Sequence, residues 1–306
     1  MTIQRIAILG AGGLGAAYGS RFMRAPGFET WFIARGERLE RLRGDGLIVN
    51  GEKVNPVVVH PDDENALTAD LIIVALKQYH LADALPDLKN FVGEQTILLS
   101  VMNGLDSETI IGDLYGMEKT LYAIALGIDA VREGNRIDYS AGGRIIFGEA
   151  ENDPPSQKVK RVQEALDRAA IPNEVPVDMM HAMWRKFMIN VGINQASAFL
   201  GAPYGIFQTD PAAQEIMESL MREAIAVANA EGVALDETDL QGWYDFLNTL
   251  SPDGKTSMLQ DVEAGRKTEV EIFGDKVVEL GRKHAIPTPV NRTIANAIHV
   301  LERASS

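Results

Sequence analysis

A glycine-rich segment near the start of the chain constrains the fold more than any other feature of the sequence. Residues 10–15 read G-A-G-G-L-G, which is the pattern G-x-G-x-x-G. The segment follows the apolar run Ile3–Leu9, which predicts a buried strand, and it opens a helical pattern from about Gly13 to Met23. Alone the pattern is a weak signal, but between a strand and a helix it is typical of a dinucleotide-binding βαβ unit. The sequence therefore predicts an α/β domain with a dinucleotide site at its first turn.

The glycines of this segment have separate roles in such a unit. Gly10 permits the tight turn, Gly12 lets the backbone approach a pyrophosphate, and Gly15 allows the helix to pack closely on the strand. The helix N-terminus then offers unpaired N–H groups and the positive end of its dipole to the phosphates. The cofactor-binding residues predicted in this segment are Gly10, Gly12, Gly13, Leu14 and Gly15.

The end of the second predicted strand, Thr30–Ala34, is where the adenosine ribose is expected. An NAD site has an acidic residue there, whereas this chain has Arg35. A guanidinium suits a 2′-phosphate, and one charge-assisted contact of about 1.5–3 kcal/mol favours NADP over NAD by roughly ten- to a hundredfold. We therefore predict NADPH as the cofactor.

Three further cations follow these strands. Lys77 comes just after the apolar strand Asp70–Leu76, at the same carboxyl edge of the sheet. A cofactor contact and a plain surface lysine explain Lys77 equally well. Arg38 and Arg41 lie on the helix after Arg35. Assistance to Arg35 at the 2′-phosphate is one interpretation of them, and the solvated face of that helix is the one that we expect.

Strand and helix patterns alternate over about 170 residues and then give way to helices. The alternation predicts a parallel sheet with helices on both faces. Gly134-Asn135 and Gly142-Gly143, within residues 128–148, predict hairpins that extend the sheet. The main helices predicted in the second half are Met179–Leu200, Pro211–Ala230, Glu237–Leu250, Ser257–His284 and Asn291–Arg303. The predicted domains are residues 1–175, which bind the dinucleotide, and the all-α residues 176–306, which bind the substrate.

A polar stripe runs along the predicted helix Met179–Leu200. Lys186, Asn190 and Asn194 are four residues apart and share one face of this otherwise apolar helix. Asparagine is a poor helix former, so the stripe fits the wall of a wet cleft better than a solvent-exposed face. Reducing a ketone by hydride leaves an alkoxide, and a partly desolvated lysine has a pKa low enough to protonate it. The pattern indicates Lys186 as the general acid and the asparagines as groups that orient a carbonyl or hydroxyl.

Four short motifs occur together in one known family. They are the G-A-G-G-L-G segment, Met102-Asn103-Gly104, Trp184-Arg185-Lys186 with the spaced asparagines, and S-M-L-Q-D at residues 257–261 leading to Thr268-Glu269. Through them the chain resembles the ketopantoate reductases (2-dehydropantoate 2-reductases) along essentially its whole length. The resemblance implies a Rossmann domain joined to a helical domain, with the substrate in the cleft between them. The roles it implies are general acid for Lys186, substrate contacts for Asn190, Asn194, Ser257 and Glu269, a bridge between nicotinamide and substrate for Asn103, and proximity to the 2′-phosphate for Arg35 and Lys77.

Some of these residues have simpler explanations. Ser257 and Gln260 fit a capping box, S-x-x-Q, which explains Ser257 as well as a substrate contact does. Glu269 lies in the charged run Glu263–Glu271, a pattern that normally forms a solvated helix face. Asn103 precedes a glycine, where a plain turn is the alternative. Gly265 lies between Ser257 and Glu269 and weakens the predicted helix by about 1 kcal/mol relative to alanine.

Composition and charge exclude several classes of protein and site. The formal net charge is −14, and so negative a surface repels nucleic acid and anionic lipid. The chain has no cysteine, which excludes disulfides and thiolate sites, and its acidic residues show no metal-ligand spacing. No apolar run is long enough for a membrane span, and an apolar strand follows Met1 without room for a signal peptide. We therefore expect a cytoplasmic protein.

The leading hypothesis is NADPH-dependent reduction of 2-dehydropantoate to pantoate, a step toward pantothenate and coenzyme A. A related enzyme that reduces another 2-oxo acid, or that uses NADH, keeps the same lysine. A dinucleotide sensor without catalysis is a third alternative, although it has no reason to keep an acid and a set of amides in register. The sequence leaves monomer and homodimer open.

Overall fold

The computed structural model describes residues 2–128, 130–139 and 142–304 and divides the chain into two compact units. The units are Met1–Met179 and Met180–Ser306. The first combines helices with a largely parallel sheet and the second is helical, which confirms the predicted fold classes. The cofactor and substrate roles assigned to the two domains stay predictions.

Strands are confined to the first unit in the described part of the chain. They are β1 (Arg5–Leu9), β2 (Glu29–Ile33), β3 (Leu47–Val49), β4 (Glu52–Val54), β5 (Val57–Val59), β6 (Ala69–Val74), β7 (Val92–Ser100), β8 (Thr120–Ile128), β9 (Val131–Glu133), β10 (Arg136–Asp138), β11 (Gly142–Gly148) and β12 (Asn173–Glu174). The main sheet has the order β12-β11-β8-β7-β6-β1-β2-β5, and a second sheet has the order β4-β3-β10-β9.

Helices flank the main sheet and make up the second unit. Those of the first unit are α1 (Gly13–Arg24), α2 (Gly36–Gly44), α3 (Leu81–Ala84), α4 (Ser107–Tyr115) and α5 (Gln157–Arg168). The others are α6 (Met179–Leu200), α7 (Tyr204–Thr209), α8 (Pro211–Ala230), α9 (Glu237–Leu247), α10 (Ser257–Glu263), α11 (Gly274–Lys283) and α12 (Pro289–Ala304). No helix in the described ranges is both long enough and apolar enough to cross a membrane.

Strand β1 lies at the centre of the first unit. Ile6 and Ile8 pack into the apolar cluster on one side of the sheet, and Ala7 and Leu9 pack into the cluster on the other side. Both faces are buried because helices cover them, so the strand is continuously apolar. The chain runs from β1 to β2 on one side and later returns to β6 on the other. Ligands of open α/β sheets bind at such a reversal, at the carboxyl ends of the strands.

The hairpins predicted within residues 128–148 form in part as expected. β11 pairs antiparallel with β8 and extends the main sheet, which confirms that part. β9 and β10 form a hairpin, but β10 pairs with β3, so this hairpin belongs to the second sheet instead. Extension of the main sheet by this hairpin was therefore a wrong expectation.

The single long helix predicted over Ser257–His284 is also wrong. α10 ends at Glu263, and Gly265 adopts the left-handed backbone conformation with φ of +61°. The N–H of Arg266 donates to the carbonyl of Asp261 at 2.8 Å, and that of Gly265 to the carbonyl of Val262 at 3.1 Å. This is the Schellman pattern by which a glycine ends a helix. α11 begins only at Gly274, after a 3₁₀ turn at residues 270–272.

Candidate functional site

The glycine-rich loop connects β1 to α1 at the reversal of the main sheet. Gly10 has φ of +105°, and a Cβ there would lie well under 3.0 Å from the carbonyl oxygen of Ala75. A Cβ on Gly15 would lie closer still to the carbonyl oxygen of Gly10. Neither neighbour can move away cheaply because both are backbone atoms. The packing of this unit therefore requires glycine at these two positions.

Gly12 differs from its neighbours. A Cβ there would meet no described protein atom closer than the oxygen of Ala75 at 4.0 Å. Gly12 directly precedes α1, whose first N–H groups lack partners within the helix. Nothing in the described part of the chain requires glycine here, whereas a phosphate approaching those N–H groups would. The loop thus fits the pyrophosphate of a dinucleotide, with Gly13 and Leu14 in the first helical turn.

Two further predicted cofactor residues follow neighbouring strands. Lys77 comes three residues after β6, and Asn103 comes three residues after β7. β1, β6 and β7 are adjacent and parallel, so their carboxyl ends share one edge of the sheet. Both side chains are half-buried. The structure therefore brings Lys77 and Asn103 to the edge that carries the glycine-rich loop.

Arg35 follows β2 and immediately precedes α2. Its guanidinium is paired with the carboxylate of Asp87, and its Nε donates to Oδ2 of Asp87 at 3.1 Å. The hydrogen bond and the negative charge of Asp87 raise the pKa of Arg35. The Arg35 side chain is 55% exposed and that of Asp87 only 11%. Arg35 thus lies at the expected strand end, but a carboxylate that sequence reasoning missed already contacts it.

The polar stripe of the second unit lies on one helix, α6, whose bounds confirm the predicted Met179–Leu200. Lys186 and Asn190 are half-buried, and Asn194 is only 7% exposed. The amide nitrogen of Asn194 donates to the amide oxygen of Asn190 at 3.2 Å. Trp184 and Phe187, which flank Lys186 in the sequence, pack edge to face with ring centroids 5.5 Å apart. The stripe is therefore a hydrogen-bonded strip on an apolar helix and not a solvated face.

Ser257 joins this strip. Its hydroxyl donates to the amide oxygen of Asn194 at 3.3 Å, across 63 positions of sequence. The residue that caps α10 is Thr256, whose hydroxyl accepts from the N–H of Leu259 at 3.1 Å. The capping explanation of Ser257 is therefore wrong. Three of the predicted substrate-contact residues, Asn190, Asn194 and Ser257, form one network.

Glu269 lies in the irregular segment between α10 and α11. It is only 8% exposed, whereas residues 263–267 just before it are exposed. The expectation of a solvated helix face fails because the helix has already ended at Glu263. The structure thus places a buried carboxylate at this position.

A chain of polar groups missed by sequence reasoning holds the residue before Glu269. The backbone N–H and the hydroxyl of Thr268 both donate to Oε1 of Glu302 at 2.7 Å. His299 lies 3.4 Å from Oε2 of Glu302 and 2.7 Å from the carboxylate of Asp275. The only local signal was the three-residue spacing of His299 and Glu302 on one helix. Among the described residues, no group of three or more His, Asp or Glu side chains is arranged to hold a metal ion.

Two family models match the chain. Residues 6–152 match the model described as ketopantoate reductase PanE/ApbA, and residues 178–302 match the model of its C-terminal domain. The chain belongs to the ketopantoate reductase family. The resemblance inferred from the sequence motifs is thereby confirmed.

Individual relatives extend over the same length. The 2-dehydropantoate 2-reductase of Halobacterium salinarum is 28% identical over 98% of this chain and 99% of its own. The solved structure of the 2-dehydropantoate 2-reductase of Geobacter metallireducens superposes with a TM-score of 0.86, at 27% identity over 97% of this chain and 99% of that one. D-Mandelate dehydrogenase, solved with NADH and anilino(oxo)acetate, has the same fold, with a TM-score of 0.89 at 20% identity over 99% of each chain.

Proposed function

We propose that the protein catalyses the NADPH-dependent reduction of 2-dehydropantoate to pantoate, a step of pantothenate biosynthesis. The observation that carries the proposal is the network of Asn190, Asn194 and Ser257 on and beside the helix of Lys186. Of the three residues only Asn194 is buried, whereas Asn190 is half-buried and Ser257 is exposed, so the network presents amide and hydroxyl groups that a ligand can reach from solvent. Its amides and hydroxyl suit a small, polar oxo acid.

The cofactor residues are assigned to the first unit. The glycine-rich loop and the first turn of α1 would hold the pyrophosphate, with Arg35 and Lys77 near the 2′-phosphate and Asn103 beside the nicotinamide. The bound cofactor supplies a hydride from C4 of the nicotinamide. Asp87 accepts from Nε and Nη2 of Arg35, which leaves the N–H groups of Nη1 for a 2′-phosphate. The Arg35 side chain is more than half exposed, so water screens its attraction to Asp87 and a phosphate dianion competes for the guanidinium.

The chemical roles are assigned to the second unit. Lys186 would donate its ammonium proton to the carbonyl oxygen as the hydride arrives, and its charge would stabilise the developing alkoxide. Asn190, Asn194 and Ser257 would orient the substrate through hydrogen bonds. Glu269 accepts hydrogen bonds when ionised, so it suits the hydroxyl of 2-dehydropantoate and repels the carboxylate of the substrate.

The pair formed by Arg35 and Asp87 favours a second candidate, a reductase of the same family that uses NADH. A carboxylate near the end of β2 is able to accept from the ribose 2′-hydroxyl, as the acidic residue of an NAD site does. The same Lys186 chemistry serves either cofactor and any 2-oxo acid that fits the network.

Initial rates of nicotinamide oxidation test both candidates. 2-Dehydropantoate is assayed beside a panel of other 2-oxo acids, each with NADPH and with NADH. A kcat/KM for 2-dehydropantoate well above the panel, and higher with NADPH, supports the proposal. Turnover of other 2-oxo acids alone overturns the substrate, and a preference for NADH overturns the cofactor.

A further inference from the structure

The first unit contains a cavity of about 590 Å³ that no assigned role uses. Its walls come from α2, from the segment joining α2 to β3, and from the strand pairs β3–β4 and β9–β10. Four of the side chains that line it are cationic, namely Arg38, Arg41, Lys53 and Arg132. The sequence predicted a solvated helix face for Arg38 and Arg41. Both are exposed, as predicted, and both also border this cavity.

The charge of this cavity opposes that of the chain as a whole. The protein has 43 acidic and 29 basic residues, yet only one acidic residue, Asp45, lines the cavity. In the described part of the chain, none of the four cations forms an ion pair with a carboxylate. Arg38, Arg41 and Lys53 are exposed, and the positive charges of Arg38 and Arg41 act on the half-buried Arg132, so an anion among these groups would reduce their repulsion. The arrangement therefore suits a bound anion.

Arg132 is the most strongly fixed of the four cations. It is half-buried, its Nε donates to the carbonyl of Gly134 at 2.8 Å, and its Nη1 donates to the carbonyl of Ala11. Burial lowers the pKa of Arg132, and the positive charges of Arg38 and Arg41 lower it further. Since Ala11 belongs to the glycine-rich loop, the cavity borders the segment that would hold the pyrophosphate.

We propose that this cavity binds a phosphate monoester through Arg38, Arg41, Lys53 and Arg132. A phosphate dianion offers three acceptor oxygens and two negative charges, and guanidinium groups pair with it bidentately. A monocarboxylate offers half the charge and fewer acceptors. The phosphate has two possible sources, the 2′-phosphate of NADPH and a separate phosphorylated ligand. In the first case the inference rests on the proposed cofactor, and the main specificity for NADPH then lies with this cluster and not with Arg35.

Titration calorimetry with three probes tests the proposal. The probes are 2′,5′-ADP, 5′-AMP and inorganic phosphate, and the proteins are the wild type and the double variant Arg41→Ala/Lys53→Ala. Arg43→Ala is the matched control, because Arg43 lies on the same helix and does not line the cavity. Thermal unfolding shows that each variant is folded.

A loss of about tenfold or more in affinity for 2′,5′-ADP, with 5′-AMP unchanged, supports the site and identifies the 2′-phosphate as its ligand. A similar loss for inorganic phosphate, with the ratio of 2′,5′-ADP to 5′-AMP unchanged, supports the site with a separate phosphorylated ligand. The proposal is overturned if the double variant binds all three probes as the wild type and Arg43→Ala do. These measurements involve no turnover, so a negative result for the cavity does not contradict the proposed reduction of 2-dehydropantoate.

Discussion

The glycine-rich loop of the first unit is held by backbone contacts, whereas the polar strip of the second unit is held by side-chain hydrogen bonds. In the loop, Gly10 and Gly15 leave no space for a Cβ, while Gly12 has space to spare. In the strip, Asn194 contacts both Asn190 and Ser257. The roles of the loop glycines are therefore separable, since Gly12 leaves room for a ligand whereas Gly10 and Gly15 are required by the packing of the fold. Roles in the strip are coupled, because removing one side chain changes what another can donate or accept.

Lys186→Ala has the largest expected effect and tests the chemical side of this comparison. We expect kcat to fall by roughly 10²–10⁴, because the variant has no proton donor for the alkoxide. Affinity for NADPH, followed by quenching of intrinsic fluorescence, is expected to change little. The exposed Lys255, which pairs with Glu263, supplies the control Lys255→Ala. Turnover of Lys186→Ala close to that of the wild type would falsify its role.

Gly15→Ala and Gly12→Ala test the claim that roles in the loop are separable. The added Cβ of Gly15→Ala clashes with the backbone of Gly10, so we expect a loss of about 3 kcal/mol or more in the free energy of unfolding. Gly12→Ala is expected to keep nearly wild-type stability and to lose about tenfold or more in affinity for NADPH. Urea denaturation and cofactor titration measure the two quantities. Equal destabilisation by both substitutions would contradict the distinction.

The same contrast explains what the sequence predicted and what it did not. Local signals sufficed for the glycine-rich loop and for the helix from Pro211 to Ala230, which has an aspartate cap and a proline in its first turn. The pairing of Arg35 with Asp87 spans 52 positions, and no local spacing reports it. The contact of Ser257 with Asn194 is also non-local. Gly265 was visible in the sequence, but a glycine can also lie within a helix, and only the structure shows that this one adopts the left-handed conformation and ends the helix.

Ser257→Ala and Asn194→Ala, made singly and together, test the coupling in the strip. Each single substitution is expected to lower kcat/KM for the substrate by roughly tenfold, because each removes part of one hydrogen-bonded unit. The double variant is expected to lose clearly less than the product of the two single losses, since residues in contact are non-additive. Gln260→Ala is the control for Ser257→Ala, because Gln260 lies on the same helix and its side-chain amide donates to the backbone carbonyl of Lys255. Losses that multiply would show that the two side chains act independently.

The smallest expected effect concerns the chain of polar groups that holds Thr268 next to Glu269. Burial opposes the charged form of His299, but the carboxylates of Asp275 and Glu302 outweigh it and raise its pKa above the ordinary 6.5. Its stabilising contribution is therefore fully present below pH 6.5 and is lost as the pH rises through the raised value. We expect the free energy of unfolding of the wild type to fall by at most about 1 kcal/mol over that rise, because His299 and its two carboxylate partners are partly exposed. His299→Gln should lose less over the same range, and the control His80→Gln, a change at an exposed residue of the first unit, should follow the wild type. The urea concentration at the unfolding midpoint, measured across this pH range, tests the prediction. If the stability of His299→Gln falls with pH as steeply as that of the wild type, a group other than His299 causes the loss.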